Sequence, residues 1–356
     1  MIDLENYMIQ GEPDQKERGY IWNTAIGLQQ TDGLKTSDYL IATANKNING
    51  DITIEEAQNL INNYYKSKPT KPDDKTRTEE ADKVATRITQ LLAEETFSFS
   101  PAEYISIHRQ LFNGIYKFAG KIRDYNISKN EWVLNGKTIY YASAGSVRET
   151  LEYDLAQERA FSYKDLSILQ TSEHIARFAS GLWQIHAFGE GNTRTTAVFI
   201  IKYLRTFGFD VKNETFAENA WYFRNALVRA NYKNIKQGIH STQEYLDRFF
   251  ANLLLGEKNI LRNRDLQVSL KTDDPVNDTI KANVPVNVPV NNLSKTPTTQ
   301  IKVLSLLTEN PHATAQQMAA ILSLTDKTIK RALSALKTAG LIERIGSDKT
   351  GHWHVK

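Results

Sequence analysis

The chain has 356 residues, 40% of them hydrophobic and 24% charged, with a formal net charge of +3 and no cysteine. That length implies two or three units with room for a sizeable core. The missing thiols exclude a disulfide framework, a thiolate zinc site and a cysteine nucleophile. No run approaches the roughly 18 apolar residues of a membrane helix. The start, MIDLENYMIQGEPDQKERGY, lacks the basic and then apolar pattern of a signal peptide, so a cytoplasmic protein with no membrane partner is expected.

Residues 1–66 read as a small helical unit. Thr36-Ser37-Asp38 offers a cap for a helix carrying Tyr39, Leu40 and Ala44, residues 47–53 (NINGDIT) read as a turn, and a second helix over 54–65 has Ala57, Leu60, Ile61 and Tyr64 at helical spacing. Residues 67–80, with prolines and many charges, are expected to be a linker. A helical domain is expected over 81–261. Within it, Ser100-Pro101-Ala102-Glu103 has an N-cap serine, a proline at the first helical position and an acidic first turn. The exception is the stretch 122–143. There Trp132-Val133-Leu134 and Thr138-Ile139-Tyr140-Tyr141 flank Asn135-Gly136, which predicts a β-hairpin flap. Residues 262–297, rich in asparagine with spaced Pro-Val units, read as an extended linker.

Residues 298–356 read as three helices followed by a two-stranded wing, with Thr314 capping the second helix and strands at 341–345 and 352–355. Eight Lys/Arg stand here against four Asp/Glu, a local excess larger than that of the whole chain. The fold class expected is therefore mainly α, with a β-hairpin flap in the central core and a small C-terminal winged-helix (α+β) domain. Lys327, Lys330 and Arg331 on the third helix and Lys349 in the wing suit duplex DNA. The plainer alternative is a protein-binding winged helix whose charges form a solvated face.

The chemistry concentrates at 174–205. Ile175, Phe178, Ala179 and Leu182 form one apolar stripe, and Ala197, Ile200, Ile201 and Leu204 another, so two buried helices are joined by HAFGEGNTR, 186–194. Gly189 and Gly191 permit close backbone approach to a ligand. The N–H groups and dipole at the start of the second helix favour phosphate. Arg194 can add a bidentate grip, and Asn192 a hydrogen bond. Glu190 in an anion site calls for a bridging Mg²⁺. His186 is placed to take a proton from a hydroxyl. Taken singly each residue has a bland reading, and Glu190 and Arg194 could form a mere surface pair. Together they are harder to dismiss.

HAFGEGNTR resembles the Fic family signature HxFx(D/E)GNGRxxR, matching at His186, Phe188, Glu190, Gly191, Asn192 and Arg194. The resemblance implies a Fic-type helical core over about 81–261. The implied activity is transfer of AMP from ATP to a Ser, Thr or Tyr hydroxyl of a target protein, the chain itself included. It implies His186 as general base, Glu190 as the Mg²⁺ holder, and Phe188, Gly189, Gly191, Asn192, Thr193 and Arg194 around the phosphates. Tyr222 and Asn231 would contact the adenine, and Trp132, Val133 and Leu134 would dock the target by strand addition. Two positions depart from the signature: Thr193 replaces a glycine, and Ala197 replaces the final arginine, which in the family orients the γ-phosphate.

The N-terminal unit resembles the VbhA-type antitoxin modules that accompany Fic domains and set a glutamate against that final arginine. Here Asp32-Gly33 stands in place of Glu-Gly and the arginine is Ala197, so the expectation is a module that is structural or weakly inhibitory. A DNA-binding regulator with a nucleotide-sensing core, and an enzyme using another phosphorus-containing donor, remain as alternatives. A second copy of the chain is also a candidate partner.

Overall fold

A computed structural model describes residues 13–67, 77–209, 211, 214–268, 303–304, 306–307, 311, 313–322, 325–338, 340–345 and 352–355. The chain divides into two compact units, 1–278 and 279–356.

In the first unit the helices are α1 (Pro13–Gly27), α2 (Asp38–Asn49), α3 (Ile54–Ser67), α4 (Thr78–Ala93), α5 (Pro101–Phe112), α6 (Val147–Ala160), α7 (Ile168–Ile185), α8 (Asn192–Thr206), α9 (Thr215–Asn231) and α10 (Glu244–Leu255). Several start where side-chain chemistry dictates. Ser37 caps α2 by accepting from the Leu40 N–H, and Ser100 caps α5 by accepting from Glu103 with Pro101 in the first turn. A full capping box of Ser167 and Gln170 opens α7. Helix α8 runs through the centre of the unit, and every residue from Asn192 to Leu204 is buried. Its polar first turn is therefore exceptional, since buried polar groups must find partners.

The N-terminal helices are built into this unit. Trp22 and Leu28 share one apolar core with Phe199, Phe216 and Phe223. Asp82 on α4, wholly buried, accepts from the Ser37 backbone N–H (2.8 Å), the Ser37 hydroxyl (2.5 Å) and the Tyr65 hydroxyl (2.7 Å), which ties α2 and α3 to α4.

Three expectations need correction. The flap is not a β-hairpin: Trp132–Leu134 is a turn of 3-10 helix, followed by Asn135 at φ 53° and Gly136 at φ 82°. The Asn-Gly pair does reverse the chain, but the Glu131 and Lys137 backbones exchange a single bond across it (N to O, 3.0 Å) and no ladder follows. Side-chain burial at Val133 and Leu134 replaces strand pairing there. The charged stretch expected to be linker to residue 80 gives way to α4 at Thr78, and Glu80 in it is buried. The second expected linker also starts late, because Leu266 and Val268 are buried and the Val268 N–H donates to the Val133 carbonyl at 2.9 Å. From 269 to 297 the expected linker lies outside the described residues.

The second unit has its own core of Val303, Leu307, Met318, Ile329, Leu333, Leu336 and Ile342. Thr314 and Gln317 form a reciprocal cap at the start of α11 (Ala315–Leu322), and α12 (Asp326–Thr338) follows. Strands β1 (Ile342–Ile345) and β2 (His352–Val355) pair antiparallel, with Arg344 opposite Trp353. The fold is mainly helical with a small C-terminal wing. Among the described residues no helix is long and apolar enough to cross a membrane.

Candidate active site

The loop between α7 and α8 is held rigidly. His186 ends α7 at φ 52°, in the left-handed region uncommon for a residue with a side chain. Arg123 compensates the open helix end: its Nε donates to the His186 carbonyl at 2.7 Å and Nη2 to the Ile185 carbonyl at 3.2 Å. Asn192 closes the loop from the other side, its Oδ1 accepting from the Phe188 N–H (2.9 Å) and its Nδ2 donating to the Phe188 carbonyl (2.7 Å). Gly191, at φ 78°, admits no side chain, because a Cβ would lie 2.3 Å from the Phe112 ring. Beneath it His108 stacks on Phe188 at 3.7 Å between centroids. The Gly120 N–H donates to His108 Nδ1, which puts the ring proton on Nε2, facing the Glu190 carbonyl at 3.0 Å.

The His186 imidazole is 3% exposed and lies 4.2 Å from the Tyr141 ring; neither ring nitrogen has a hydrogen-bond partner among the described residues. Burial lowers its pKa well below the ordinary histidine value, and the positive charges of Lys129, Arg224 and Arg123 lower it further. The ring is therefore neutral, with both nitrogens unpartnered among the described residues.

Arg194 sits in the first turn of α8 with no exposure, gripped on three sides. Its Nη1 donates to Gln29 Oε1 (3.0 Å) and Nη2 to Glu80 Oε1 (2.7 Å), while Asp32 Oδ2 lies 2.8 Å from Nε. The Asp32 contact is ionic, since neither atom completes a hydrogen bond there. Glu80 is itself fixed by Arg77 (2.7 Å) and by the Tyr116 hydroxyl (2.7 Å), and the guanidinium stacks over Phe112 at 4.8 Å. Burial alone would raise the Asp32 pKa, but Arg194, Arg224 and Lys129 outweigh it and the carboxyl stays below its ordinary value.

Beside this clutch opens a cleft of about 500 Å³ lined by Gly189, Glu190, Lys129, Arg224 and Tyr125, among others. The Glu190 carboxylate is 44% exposed and paired with Lys129 Nζ at 2.9 Å. Arg224 from α9 makes a two-pronged pair with the fully buried Glu131, at 2.7 and 3.2 Å, and lies over the Trp221 ring. Among the described residues no cluster of three His, Cys, Asp or Glu could hold a metal alone.

The loop thus brings His186, Phe188, Gly189, Glu190, Gly191, Asn192, Thr193 and Arg194 together, as the sequence suggests. Thr193 has a local reason: its hydroxyl accepts from the Trp183 indole N–H at 3.0 Å. Both clamp positions depart from the pattern, as the sequence has it, but Asp32 does meet an arginine: it is Arg194 rather than a partner at the Ala197 position, so the expected loss of the acid's partner is corrected. Gly33, at φ 69°, ends the turn that presents Asp32.

Tyr222 and Asn231 do not line the cleft. The buried Tyr222 ring faces the side of Arg248, Tyr245 and Asp265, and Asn231 Nδ2 donates to Ser180 Oγ at 2.9 Å, joining α9 to α7. The docking role expected of Trp132, Val133 and Leu134 is corrected as well. Val133 and Leu134 are core residues and Trp132 packs against the same core, so no free strand edge is presented.

Sequence reasoning missed Gln29, Glu80, Lys129, Glu131, Tyr141 and Arg224. They lie far from the motif in sequence and follow no spacing rule. On α12, Lys330 is exposed and paired with Asp326 at 2.7 Å, and Arg331 is exposed. Lys349 and the Lys327 side chain lie outside the described residues.

Residues 98–204 match the Fic/DOC family, and residues 297–343 a winged helix-turn-helix DNA-binding family. Over 105 residues the chain is 30% identical to protein adenylyltransferase VbhT of Bartonella schoenbuchensis, a stretch that is 30% of this chain and 21% of that protein. The match thus spans about a fifth of that relative's length. Among solved structures, the N-terminal FIC domain of the effector Bep8 from Bartonella sp. 1-1C is 18% identical, with 48% of this chain and 81% of that one covered and a TM-score of 0.38. BepC from Bartonella tribocorum, solved with AMPPNP, is 19% identical, with 52% and 93% covered and a TM-score of 0.36. The chain carries a Fic/DOC domain and a C-terminal winged helix-turn-helix.

Proposed function

We propose that the central site transfers AMP from ATP to a hydroxyl of a protein substrate, with His186 as general base. The observation that carries this reading is a buried, neutral imidazole with both nitrogens unpaired among the described residues, at the start of a glycine-containing loop that opens a buried helix. The hydroxyl oxygen attacks the α-phosphorus, the bond from that phosphorus to the bridging oxygen breaks, pyrophosphate leaves, and His186 takes the hydroxyl proton. The backbone N–H groups at the start of α8 and the Arg194 guanidinium stabilise the phosphate charge.

Mg²⁺ fits this site, because it is commonly held by one or two carboxylates together with substrate phosphates. Glu190 offers a 44% exposed carboxylate, which among the described residues is paired with Lys129. When bound, the ion would neutralise phosphate charge. Glu190 would hold it, and Lys129 would turn from the carboxylate toward the phosphates.

Arg194 can grip phosphate only after Asp32 and Gln29 let it go, so the described arrangement is a restrained state of the enzyme. The C-terminal unit binds duplex DNA in this reading, with Lys330 and Arg331 on the exposed side of α12.

Intact-mass spectrometry after incubation with ATP and Mg²⁺ tests the transfer, comparing the unaltered chain, Asp32→Ala and Asp32→Ala/His186→Ala. A histidine-dependent adenylyl adduct on the chain or on added lysate proteins is expected. Nucleotide binding with no adduct in any variant would leave a sensor in place of an enzyme, and an adduct of another mass would identify another donor.

A further inference from the structure

The motif arginine missing at Ala197 leaves the far end of a triphosphate without its usual cation, yet the cleft contains a substitute. Arg224 projects from α9, two residues from Tyr222. Two residues are about 200° of helical turn, so the two side chains leave α9 on nearly opposite faces. Tyr222 turns toward α10, and Arg224 lines the same cleft as Gly189, Glu190 and Lys129.

The guanidinium is held in advance. Glu131, wholly buried, takes two of its five N–H donors, and the Trp221 ring supports one face. Glu131 also accepts from the Tyr141 hydroxyl at 3.2 Å, and Tyr141 packs against His186. The remaining donors of Arg224 are uncommitted among the hydrogen bonds of the described residues, and its side chain is 14% exposed. A planar fork fixed along one edge and open along the other suits phosphate oxygens.

A carboxylate already occupies this positive field. Asp32 touches Arg194 at 2.8 Å, and Arg224 and Lys129 act on it through space. Arg194 from α8 thus pairs directly with the anion supplied by the N-terminal turn, and Arg224 and Lys129 favour its charge from a distance. When Asp32 withdraws, that field is left for a ligand of the same sign.

We propose that Arg224, pinned by Glu131, is the cation that replaces the missing arginine, holding with Lys129 the outer phosphates of a bound nucleoside triphosphate in the cleft they line with Gly189 and Glu190, once Asp32 no longer offsets their charge. The assignment rests on the nucleotide reading above. It makes Arg224 a binding residue that discriminates by phosphate-chain length.

Isothermal titration with tripolyphosphate, ATP and AMP, each with Mg²⁺, tests it in an Asp32→Ala background. Arg224→Gln alone leaves Glu131 buried without a counter-ion, so the measured variant is E131Q/R224Q, with R224K as the charge-keeping control. Thermal melts confirm that each is folded, and Asp32→Asn serves as background if Asp32→Ala is not. Loss of one charge-assisted contact weakens binding about 10- to 100-fold. That loss is expected for tripolyphosphate and ATP in E131Q/R224Q, with AMP within about three-fold and R224K intermediate.

Equal weakening of AMP and tripolyphosphate, or no change in either, overturns the assignment. So does failure of the Asp32→Ala protein to bind tripolyphosphate, even where AMP binds. Binding of tripolyphosphate but of neither ATP nor AMP, lost in E131Q/R224Q, upholds Arg224 and refutes the adenine-nucleotide reading instead.

Discussion

Asp32→Ala separates restraint from stability in a single substitution. Arg194 is fully buried with two carboxylates and one amide around it. Removing a partner from a buried ion pair costs about 3–5 kcal/mol when the remaining charge is left uncompensated. Glu80 at 2.7 Å and Gln29 at 3.0 Å stay in place here, so a smaller loss of about 2–3 kcal/mol is expected. In a unit of this size that lowers Tm by about 5–10 °C, at roughly 2–4 °C per kcal/mol. The same free energy opposes any ligand that must displace Asp32, so its removal should tighten ATP binding by about 30- to 150-fold. The two effects have opposite signs: the free protein melts earlier, and saturating ATP raises Tm by more than it does in the unaltered chain. Scanning calorimetry and isothermal titration read both. An unchanged Tm together with an unchanged ATP affinity would refute the clutch as either a structural or a competitive element. The clutch should also persist in mild acid. The lowered Asp32 pKa means that its contribution is complete above the ordinary aspartate range and is lost only as pH falls through the lowered value.

Two further outcomes are expected. Burial lowers the His108 pKa to about 4 from the ordinary 6.5, so the unfolded chain takes the proton more readily between those values. Stability should then fall as pH drops through that window, by about 2 kcal/mol between pH 7 and pH 5, and level off below it. His186, also lowered, adds to the same slope, so the measurement is urea denaturation of the parent against His108→Gln; identical pH slopes for the two would sink the assignment. In the C-terminal unit, Arg331→Ala should weaken binding of the full chain to random duplex DNA and reduce the salt slope of log K by about 1. A fluorescence-anisotropy titration at several salt concentrations would contradict that reading if the parent showed no salt-dependent binding or the slope did not move.

The parts legible in the sequence were those written in local chemistry. Ser37 and Ser100 cap helices as their neighbours suggested, and the stripes Ile175–Leu182 and Ala197–Leu204 are buried as their spacing required. The wing strands pair where their alternation placed them. The flap failed as a prediction because Asn-Gly specifies a reversal of direction, whereas strand pairing needs a partner ladder that burial of Val133 and Leu134 removed. Glu80 failed for a related reason. A charged helix start beside prolines reads as linker, and the tertiary contacts with Arg194 and Tyr116 explain its burial.

That contact also alters what the departures at 193 and 197 mean. Read along the chain, Thr193 and Ala197 look like losses from a phosphate grip. In three dimensions Thr193 gains the Trp183 indole as a donor. The acid expected to lose its partner at 197 pairs instead with Arg194, one turn earlier on α8. Residues 194 and 197 are three apart and therefore neighbours on one face of the helix, so a restraining carboxylate can move between them with little change in the N-terminal turn. The move has a chemical consequence. A carboxylate set against a distal arginine would oppose only the outer phosphates, whereas one set against Arg194 occupies the cation of the 186–194 loop itself. If the loop binds phosphate as proposed, restraint and catalysis compete for the same guanidinium, and release of Asp32 is a condition for that binding rather than an adjustment of its pose.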